Sequence, residues 1–168
     1  MADLETPRLL LHEMTPAEAE RVVAGEPGAG ERWAPDYPAG TDVKGAQSYL
    51  RRCAETGDPA PFGCYEIRRR SDGAAVGGLG FNHAPEPDGS VDIGYGLVPS
   101  AQGHGYASEA LRALLQFARS LGITVVKGDA DHANTASQHV MRAAGMRLVR
   151  EDEKVKFFET DWLQEGGV

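Results

Sequence analysis

One junction in this sequence, residues 98–107 (VPSAQGHGYA), constrains the fold more than any other segment. Before it, residues 90–98 (SVDIGYGLV) form a β-prone run, which Pro99 ends because proline has no N–H to donate to a strand ladder. After it, apolar residues recur at positions 107, 110, 111, 114, 115, 118 and 121, the spacing of a broad apolar helix face. A strand therefore passes into a helix through a turn that contains Gly103 and Gly105.

A turn of this kind can bind an anion. The start of a helix presents unpaired backbone N–H groups and the positive end of the helix dipole, and glycine lets a phosphate approach that backbone closely. The sequence lacks the Gly-Lys-Ser/Thr of a nucleotide P-loop, and its glycines are spaced GxG instead of the GxGxxG of dinucleotide folds. A tight turn that only needs glycine explains the same pair equally well, so the segment alone does not name a ligand.

The remaining patterns predict one α/β (α+β) domain over residues 1–168. Strands are predicted at 7–13, 62–69, 74–82, 90–98, 123–130, 147–151 and 154–160. Helices are predicted from Thr15 to about Gly25, along Val43, Ala46, Leu50 and Cys53 as far as Gly57, over 107–121, and from Thr135 to Ala144. Thr15-Pro16-Ala17-Glu18 has the form of a helix cap, and Ser71-Asp72-Gly73 that of a hairpin turn. The order β-α-α-β-β-β-α-β-α-β-β is typical of a mixed sheet with helices on both faces.

Charge and cysteine content exclude several classes of function. Seventeen basic against 25 acidic side chains give a net charge of −8, which disfavours nucleic acid as a partner. Cys53 and Cys64 have neither CxxC nor Cys/His spacing, so we predict two reduced, buried thiols and no metal site. The absence of a leader pattern and of a long apolar run predicts a soluble, cytoplasmic protein without a membrane partner.

Several segments of the sequence together resemble one known protein family. Residues 102–107 (QGHGYA) match the Q/R-x-x-G-x-G/A signature of the GNAT superfamily of N-acetyltransferases, and residues 92–97 and 107–111 resemble the strand and helix around it. Residues 134–137 (NTAS), followed by Gly145-Met146, are similar to the family's later N-x-x-S segment. Residues 5–11 (ETPRLLL) resemble the first strand of the RimJ/RimL-like branch, which includes protein N-terminal acetyltransferases.

The resemblance implies a mixed, mostly antiparallel sheet of about seven strands, with strands four and five splayed to admit acetyl-coenzyme A. The main chain of the signature turn would bind its pyrophosphate, through Gln102, Gly103, His104, Gly105, Tyr106 and Ala107. The end of the fourth strand, Leu97 and Val98, would line the pantetheine arm and place a backbone N–H against the thioester oxygen. Asn134 is then the N-cap of its helix, a contact to the pantetheine arm, or both.

Catalytic residues are less well determined. An amine must be neutral to attack, so a base is needed for a lysine and less so for an α-amine. Asp92 is the first candidate, because the family often has an acidic residue there, and His83 is the alternative; either side chain is also compatible with a purely structural place. Many relatives protonate the departing thiolate with a tyrosine, but this chain has Val140 and Met141 there. Ser137, which matches a serine of the RimJ/RimL-like branch, either donates a hydrogen bond to sulfur or only bonds the backbone.

The acceptor is left open between a protein N-terminus and a small-molecule amine, attacked directly in a ternary complex. Trp33, Tyr37 and Pro38 lie in a loop that covers the acceptor groove in relatives, although packing of the loop explains them equally well. Two rival functions remain at this stage: a non-catalytic acyl-coenzyme A sensor that kept the turn, and a nucleotide-binding protein. Relatives often form dimers, and the sequence leaves the oligomeric state open.

Overall fold

A computed structural model describes residues 3–162 and contains one mixed sheet with four helices. The strands are β1 (Leu4–Glu5), β2 (Leu9–Glu13), β3 (Cys64–Arg69), β4 (Ala75–Phe81), β5 (Ser90–Leu97), β6 (Val125–Asp131), β7 (Arg147–Glu151) and β8 (Val155–Glu159). The helices are α1 (Pro16–Ala24), α2 (Gly40–Thr56), α3 (Tyr106–Ser120) and α4 (Thr135–Ala144), and a short 3-10 turn spans Pro99–Ala101. All seven predicted strands and all four predicted helices are confirmed. The additional strand, β1, has only two residues, too few for an alternating pattern to indicate it.

The eight strands lie in the order β1-β2-β3-β4-β5-β6-β8-β7. Neighbours are antiparallel except β5 and β6, which run parallel and pair only between Ser90–Asp92 and Val125–Lys127. Beyond these three pairs β5 stays with β4 as far as Leu97, and β6 stays with β8 as far as Asp131. The two strands therefore separate into a wedge, as the family resemblance led us to expect.

Helices cover both faces of the sheet. Successive side chains of a strand point to opposite faces, and Tyr95 and Gly96 show which helices lie on each. The Tyr95 hydroxyl reaches Ser137 of α4, whereas a Cβ built on Gly96 would lie 2.9 Å from the Thr41 hydroxyl of α2. Since α1 packs on α2 and α3 packs on α4, one helix pair covers each face.

The amphipathic pattern that identified α3 is also what holds it to the sheet. Its buried residues are Ala110, Leu111, Leu114, Leu115 and Ala118, all positions of the predicted stripe. They pack in one core with Leu9 and Leu11 of β2, which are both fully buried on the same face of that strand. Burial of one such leucine contributes about 1.5–3 kcal/mol, so α3 and the opening strand stabilise each other.

Local signals for helix ends and turns are confirmed as well. Thr15 caps α1 in a capping box: its hydroxyl accepts from the Glu18 N–H at 3.2 Å, and the Glu18 carboxylate accepts from the Thr15 N–H at 2.9 Å. At the predicted hairpin turn, the Gly73 N–H donates to the Arg69 carbonyl oxygen at 2.7 Å.

The predicted burial of the two cysteine thiols is wrong in degree, because Cys53 and Cys64, though free, are both only half-buried. Burial is still the main reason that the pKa of Cys64 is raised to about 12.

A chain of charged groups joins β2, α1 and β3. His12 lies between two carboxylates, with Nδ1 3.0 Å from Asp3 and Nε2 2.8 Å from Glu18. Arg68 continues the chain, 3.4 Å from Glu18 and 2.7 Å from Glu66. Burial lowers the pKa of His12, but the hydrogen bonds to the two carboxylates outweigh it and leave the pKa raised. Burial raises the pKa values of Asp3 and Glu18, but hydrogen bonds outweigh it and leave both lowered: chiefly the one from His12 at Asp3, and those from the Thr15 N–H and His12 at Glu18.

We expect His12→Gln to destabilise the protein in a pH-dependent way. A raised folded-state pKa means that His12 contributes stability below its unfolded pKa and loses the contribution as pH rises through the folded value. The carboxylates contribute only above their unfolded values near 4. Urea unfolding at pH 5.5 should therefore show a loss of about 1–3 kcal/mol, the range for hydrogen bonds to charged groups, and a smaller loss at pH 9. His139→Gln, at an exposed position of α4, is the control; an equal loss at both pH values for His12→Gln would contradict the assignment.

Candidate active site

The wedge between β5 and β6 forms a cavity of about 340 Å³. Its walls come from the separated strands, the residue after β4 and the inner side of α4. They are Asn82, Ile93, Gly94, Tyr95, Gly128, Asp129, Ala130, Asp131, Asn134, Ser137 and Met141. Because the backbones of β5 and β6 no longer pair here, polar main-chain groups face the cavity along with these side chains.

The register of the β4–β5 ladder determines which N–H groups face the wedge. The Val98 N–H donates to the Val76 carbonyl oxygen and the Asn82 N–H to that of Asp92, both at 2.9 Å. Since hydrogen-bonded and non-hydrogen-bonded pairs alternate in an antiparallel ladder, the N–H groups of Tyr95 and Leu97 point away from β4, towards the wedge. The Leu97 N–H is thus left unused by the β4–β5 ladder and faces the wedge. The Val98 N–H does not, because it donates to Val76, and the Val98 side chain is fully buried.

The glycine turn follows directly at the end of β5. Gly103 and Gly105 have φ values of 83° and 81°, in the left-handed region that favours glycine, which explains why the turn needs both. The first N–H bonded within α3 is that of Glu109, which donates to the Gly105 carbonyl oxygen at 3.1 Å. The preceding N–H groups of the first turn of α3 therefore have no helical acceptor. The Gln102 amide donates to the Leu97 carbonyl oxygen at 3.1 Å and fastens the turn to the strand.

Arg8, the residue before β2, forms a brace to this turn by contacting both the turn and α3. Its guanidinium donates to the Glu109 carboxylate at 2.7 Å and to the His104 carbonyl oxygen at 2.8 Å. It also lies 4.7 Å from the centre of the Tyr106 ring, and a Cβ on Gly105 would come within 3.3 Å of it. Arg8 thus adds a positive charge beside a helix start. Sequence reasoning used this segment only for the family resemblance, because its partners lie about a hundred residues away.

The first turn of α4 brings Asn134 and Ser137 to the wedge. The Asn134 side chain accepts from the Ser137 N–H at 3.0 Å, so its predicted role as N-cap is confirmed. The Ser137 hydroxyl lies 2.6 Å from the Tyr95 hydroxyl, which also donates to the Ser137 carbonyl oxygen at 3.0 Å. Burial raises the pKa of Tyr95, and the Ser137 hydrogen bond opposes that rise. Sequence analysis assigned no role to Tyr95, because nothing in its surroundings along the chain indicates a partner on α4.

Asp92 and His83, which sequence analysis treated as alternatives, are neighbours. The His83 Nε2 lies 3.5 Å from the Asp92 carboxylate and accepts from the Asp92 N–H at 3.3 Å. Asp92 sits where β5 still pairs with β6, opposite Lys127, and its carboxylate is half-exposed. By alternation with Gly94 and Gly96 it belongs to the α2 face. The pair therefore lies at the closed end of the wedge, outside the cavity that Ser137 lines.

A second cavity, of about 260 Å³, lies beneath α2 against the other face of β4 and β5. Four glycines of these strands leave space below the helix: Gly78, Gly80, Gly94 and Gly96. Asn82, Gly94 and Tyr95 line both cavities, so the two meet at β5.

The cavity beneath α2 is apolar apart from a few charged groups, of which Asp42 is notable. Burial, with a contribution from Glu66 and against the hydrogen bond from the Ala39 N–H, raises the pKa of Asp42 to about 6. The Tyr37 hydroxyl donates to Glu66 at 2.8 Å in the same wall. Of the three loop residues that the sequence indicated, only Tyr37 lines this cavity. The Trp33 ring packs edge-on against the Tyr37 ring, with 5.3 Å between their centres, and Pro38 follows Tyr37 through a cis peptide bond.

These features agree with the comparison to known families. The sequence model of the acetyltransferase (GNAT) domain matches residues 8–147. The chain belongs to this family. It is therefore an acetyltransferase, and acetyl transfer from acetyl-coenzyme A is the activity supported at the level of the GNAT family.

Individual relatives are distant. An uncharacterised N-acetyltransferase, p20 of Bacillus licheniformis, is 26% identical over 120 residues, or 69% of this chain and 67% of that protein. The ribosomal-protein-S5-alanine acetyltransferase of Vibrio fischeri is 14% identical with a TM-score of 0.71, over 95% of this chain and 96% of that one. RimL, a ribosomal L7/L12 alpha-N-protein acetyltransferase in complex with coenzyme A, is 21% identical with a TM-score of 0.66, over 94% and 97%. At these identities the two structures support the GNAT fold and no particular acceptor.

Among residues 3–162, no cluster of three or more histidine, cysteine, aspartate or glutamate side chains has an arrangement that could hold a metal ion. Within the same range no helix has the length and apolar character needed to cross a membrane.

We expect Arg8→Ala to weaken coenzyme A binding without unfolding the protein. The substitution removes a positive charge beside the turn and its hydrogen bond to the His104 carbonyl oxygen. Titration calorimetry should give a dissociation constant roughly tenfold higher, equivalent to about 1.4 kcal/mol. Arg112→Ala on α3 is the matched control, since among residues 3–162 the Arg112 guanidinium donates to the Ala143 carbonyl oxygen and not to the glycine turn. Unchanged affinity in Arg8→Ala would show that the brace is unnecessary for the site.

Proposed function

We propose that this protein transfers the acetyl group of acetyl-coenzyme A to a primary amine by direct attack in a ternary complex. The observation that carries the proposal is the wedge between β5 and β6, which opens beside the glycine turn at the start of α3. An extended thioester with a diphosphate at one end needs this combination of a cleft and an anion site. The pyrophosphate would bind the main chain of residues 102–107, and the pantetheine arm would enter the wedge past Asn134.

The backbone of β5 supplies the electrostatic part of the mechanism. Attack on the thioester places negative charge on its oxygen, and a preorganised N–H donor that stabilises this charge is commonly the largest catalytic term in acyl transfer. The Leu97 N–H, which points into the wedge, is the proposed donor. A fixed strand N–H costs no reorganisation during the reaction, because the β4–β5 ladder already holds it.

The acceptor amine would approach from the α2 face, through the cavity that meets the wedge at β5. Its ammonium form has no lone pair, so a proton must leave before or during the attack. Asp92, beside the His83 ring, is the proposed base; because it lines neither cavity, it would take the proton through bridging water. Asp42, whose pKa is raised to about 6, adds a second carboxylate on the same face that favours a cationic acceptor. Both observations, together with the net charge of −8, support an amine substrate.

The acceptor class is proposed as either a protein N-terminus or a small-molecule amine. The names of RimL and of the S5-alanine acetyltransferase are compatible with the first. An α-amine has an ordinary pKa of about 7.7–8.0 and is partly neutral at pH 7.5, whereas a lysine amine near 10.4 is almost entirely protonated. An α-amine therefore demands less of a base that is exposed to solvent, as Asp92 is.

The first experiment measures free thiol release from acetyl-coenzyme A with a panel of amines. The panel should include peptides with different first residues, free amino acids and polyamines, each at several concentrations. We expect amine-dependent thiol release for at least one class, and no release by Gly105→Glu, whose carboxylate would occupy the anion site. Tight cofactor binding without any turnover would instead support the alternative of a non-catalytic acyl-coenzyme A sensor. A greater thermal stabilisation by ATP or NAD than by coenzyme A would favour a nucleotide-binding protein.

We expect Asp92→Asn to lower kcat by about 100-fold, the lower end of the range for general acid–base catalysis. Its dissociation constant for coenzyme A should stay within twofold, because Asp92 lies outside the wedge. Asp152→Asn, in the turn between β7 and β8, is the control for loss of an exposed carboxylate. If Asp92→Asn keeps full activity at pH 7 and at lower pH, Asp92 is not the base.

A further inference from the structure

The departing thiolate needs a proton that none of the residues assigned so far readily supplies. Collapse of the tetrahedral intermediate breaks the C–S bond and leaves the electron pair on sulfur. The tyrosine that the family resemblance leads one to expect on α4 is replaced by Val140 and Met141. A serine hydroxyl alone donates a hydrogen bond but is a poor acid, so Ser137 by itself accounts for stabilisation of the thiolate and not for its protonation.

The structure brings a different tyrosine to the same place from the opposite wall. Tyr95 of β5 and Ser137 of α4 both line the wedge cavity, and their hydroxyl oxygens lie 2.6 Å apart. Tyr95 is held on its other side by the ladder with β4, where it pairs with Leu79. A phenol, with an ordinary pKa near 10, is far more acidic than an alcohol. Because the pKa of Tyr95 is raised, the group keeps its proton throughout the neutral range and remains a donor.

Counting protons shows that the pair has one to give. Two hydroxyl groups carry two protons, and only one is needed for the hydrogen bond between their oxygens. When Tyr95 donates to the Ser137 hydroxyl oxygen, the Ser137 proton is directed to a ligand in the cavity. When Tyr95 donates instead to the Ser137 carbonyl oxygen, 3.0 Å away, the Ser137 proton fills the bond between the two hydroxyl groups, so the relay requires the first arrangement.

The other polar groups of the wedge cannot take this role. Ionised carboxylates such as Asp129 and Asp131 only accept hydrogen bonds, and they would repel a thiolate. The amides of Asn82 and Asn134 donate hydrogen bonds but do not release protons.

We propose that Tyr95 and Ser137 form a proton relay that protonates the coenzyme A thiolate, with Tyr95 replacing the tyrosine missing from α4. The inference rests on the proposed function, since it assigns the acid for that reaction. In the step, the S–H bond forms as the Ser137 O–H bond breaks, and Ser137 recovers a proton from Tyr95. The tyrosinate then takes a proton from solvent, which balances the one that the attacking amine released. Ser137 touches the sulfur, and Tyr95 acts through it.

The test is Tyr95→Phe, which keeps the ring and removes only the hydroxyl. Steady-state kinetics with the best amine of the panel should show kcat lowered by about 100-fold, as for loss of a general acid, with the KM for acetyl-coenzyme A within twofold. Ser137→Ala should lower kcat similarly, and the double variant should be no slower than the slower single variant, because both residues serve one step. The rate ratio between water and deuterium oxide should differ in Tyr95→Phe from that of the wild type, a change that a purely structural hydroxyl would not produce.

Thr124→Val is the matched control. It removes another hydroxyl that donates to a carbonyl oxygen, that of Asp88 at 2.9 Å, away from the wedge, and it should leave kcat unchanged. Coenzyme A affinity and the thermal midpoint of each variant establish that the fold is intact. If Tyr95→Phe is unstable, Ser137→Ala and its isotope effect test the same relay.

Two outcomes overturn the proposal in distinguishable ways. Wild-type turnover combined with full kcat in a folded Tyr95→Phe, or with additive losses in the double variant, refutes the relay and leaves the acetyltransferase function standing. Wild-type protein that binds acetyl-coenzyme A but releases no thiol with any amine refutes the proposed function, and the relay with it.

Discussion

The parting of β5 from β6 after three paired residues is the feature on which the rest of the site depends. Each strand keeps a partner on its outer side, so the sheet stays cohesive although its middle is open. Along the open stretch, main-chain groups that would otherwise bond across the sheet face a cavity. The closed end of the wedge carries Asp92, and the open end leads to the glycine turn. One interruption of pairing therefore sets the positions of cleft, anion site and base together.

Most of the fold was predictable from local sequence patterns. The apolar stripe of α3, the Thr15 capping box and the turn at Gly73 each depend on residues close together in the chain, and each is confirmed. The signature turn was predicted for the same reason, since two glycines and a following helix suffice to indicate it. What the pattern could not give was the ladder register, which leaves Leu97 facing the wedge and turns the Val98 N–H towards β4.

The side chains that sequence reasoning missed share a different property. Arg8 meets Glu109, Tyr95 meets Ser137, and the Asp42 carboxylate lies 3.3 Å from where a Cβ on Gly78 would be. In every case the partners come from separate elements. Such contacts arise from the packing of α3 and α4 on one face of the sheet and of α2 on the other. Residue type and spacing in a single sequence do not indicate these contacts. The same packing explains why two proposed bases, Asp92 and His83, proved to be neighbours instead of alternatives.

The brace between Arg8 and the glycine turn has a consequence for the behaviour of the whole chain. The contacts of Arg8 hold the opening strand in place and also hold the turn that would bind the pyrophosphate. Binding of coenzyme A and ordering of the amino-terminal strand are therefore linked equilibria. A bound thioester would shield the opening residues from proteases. Conversely, an amino-terminal extension that displaces this strand would lower the affinity for coenzyme A without contacting any residue of the wedge.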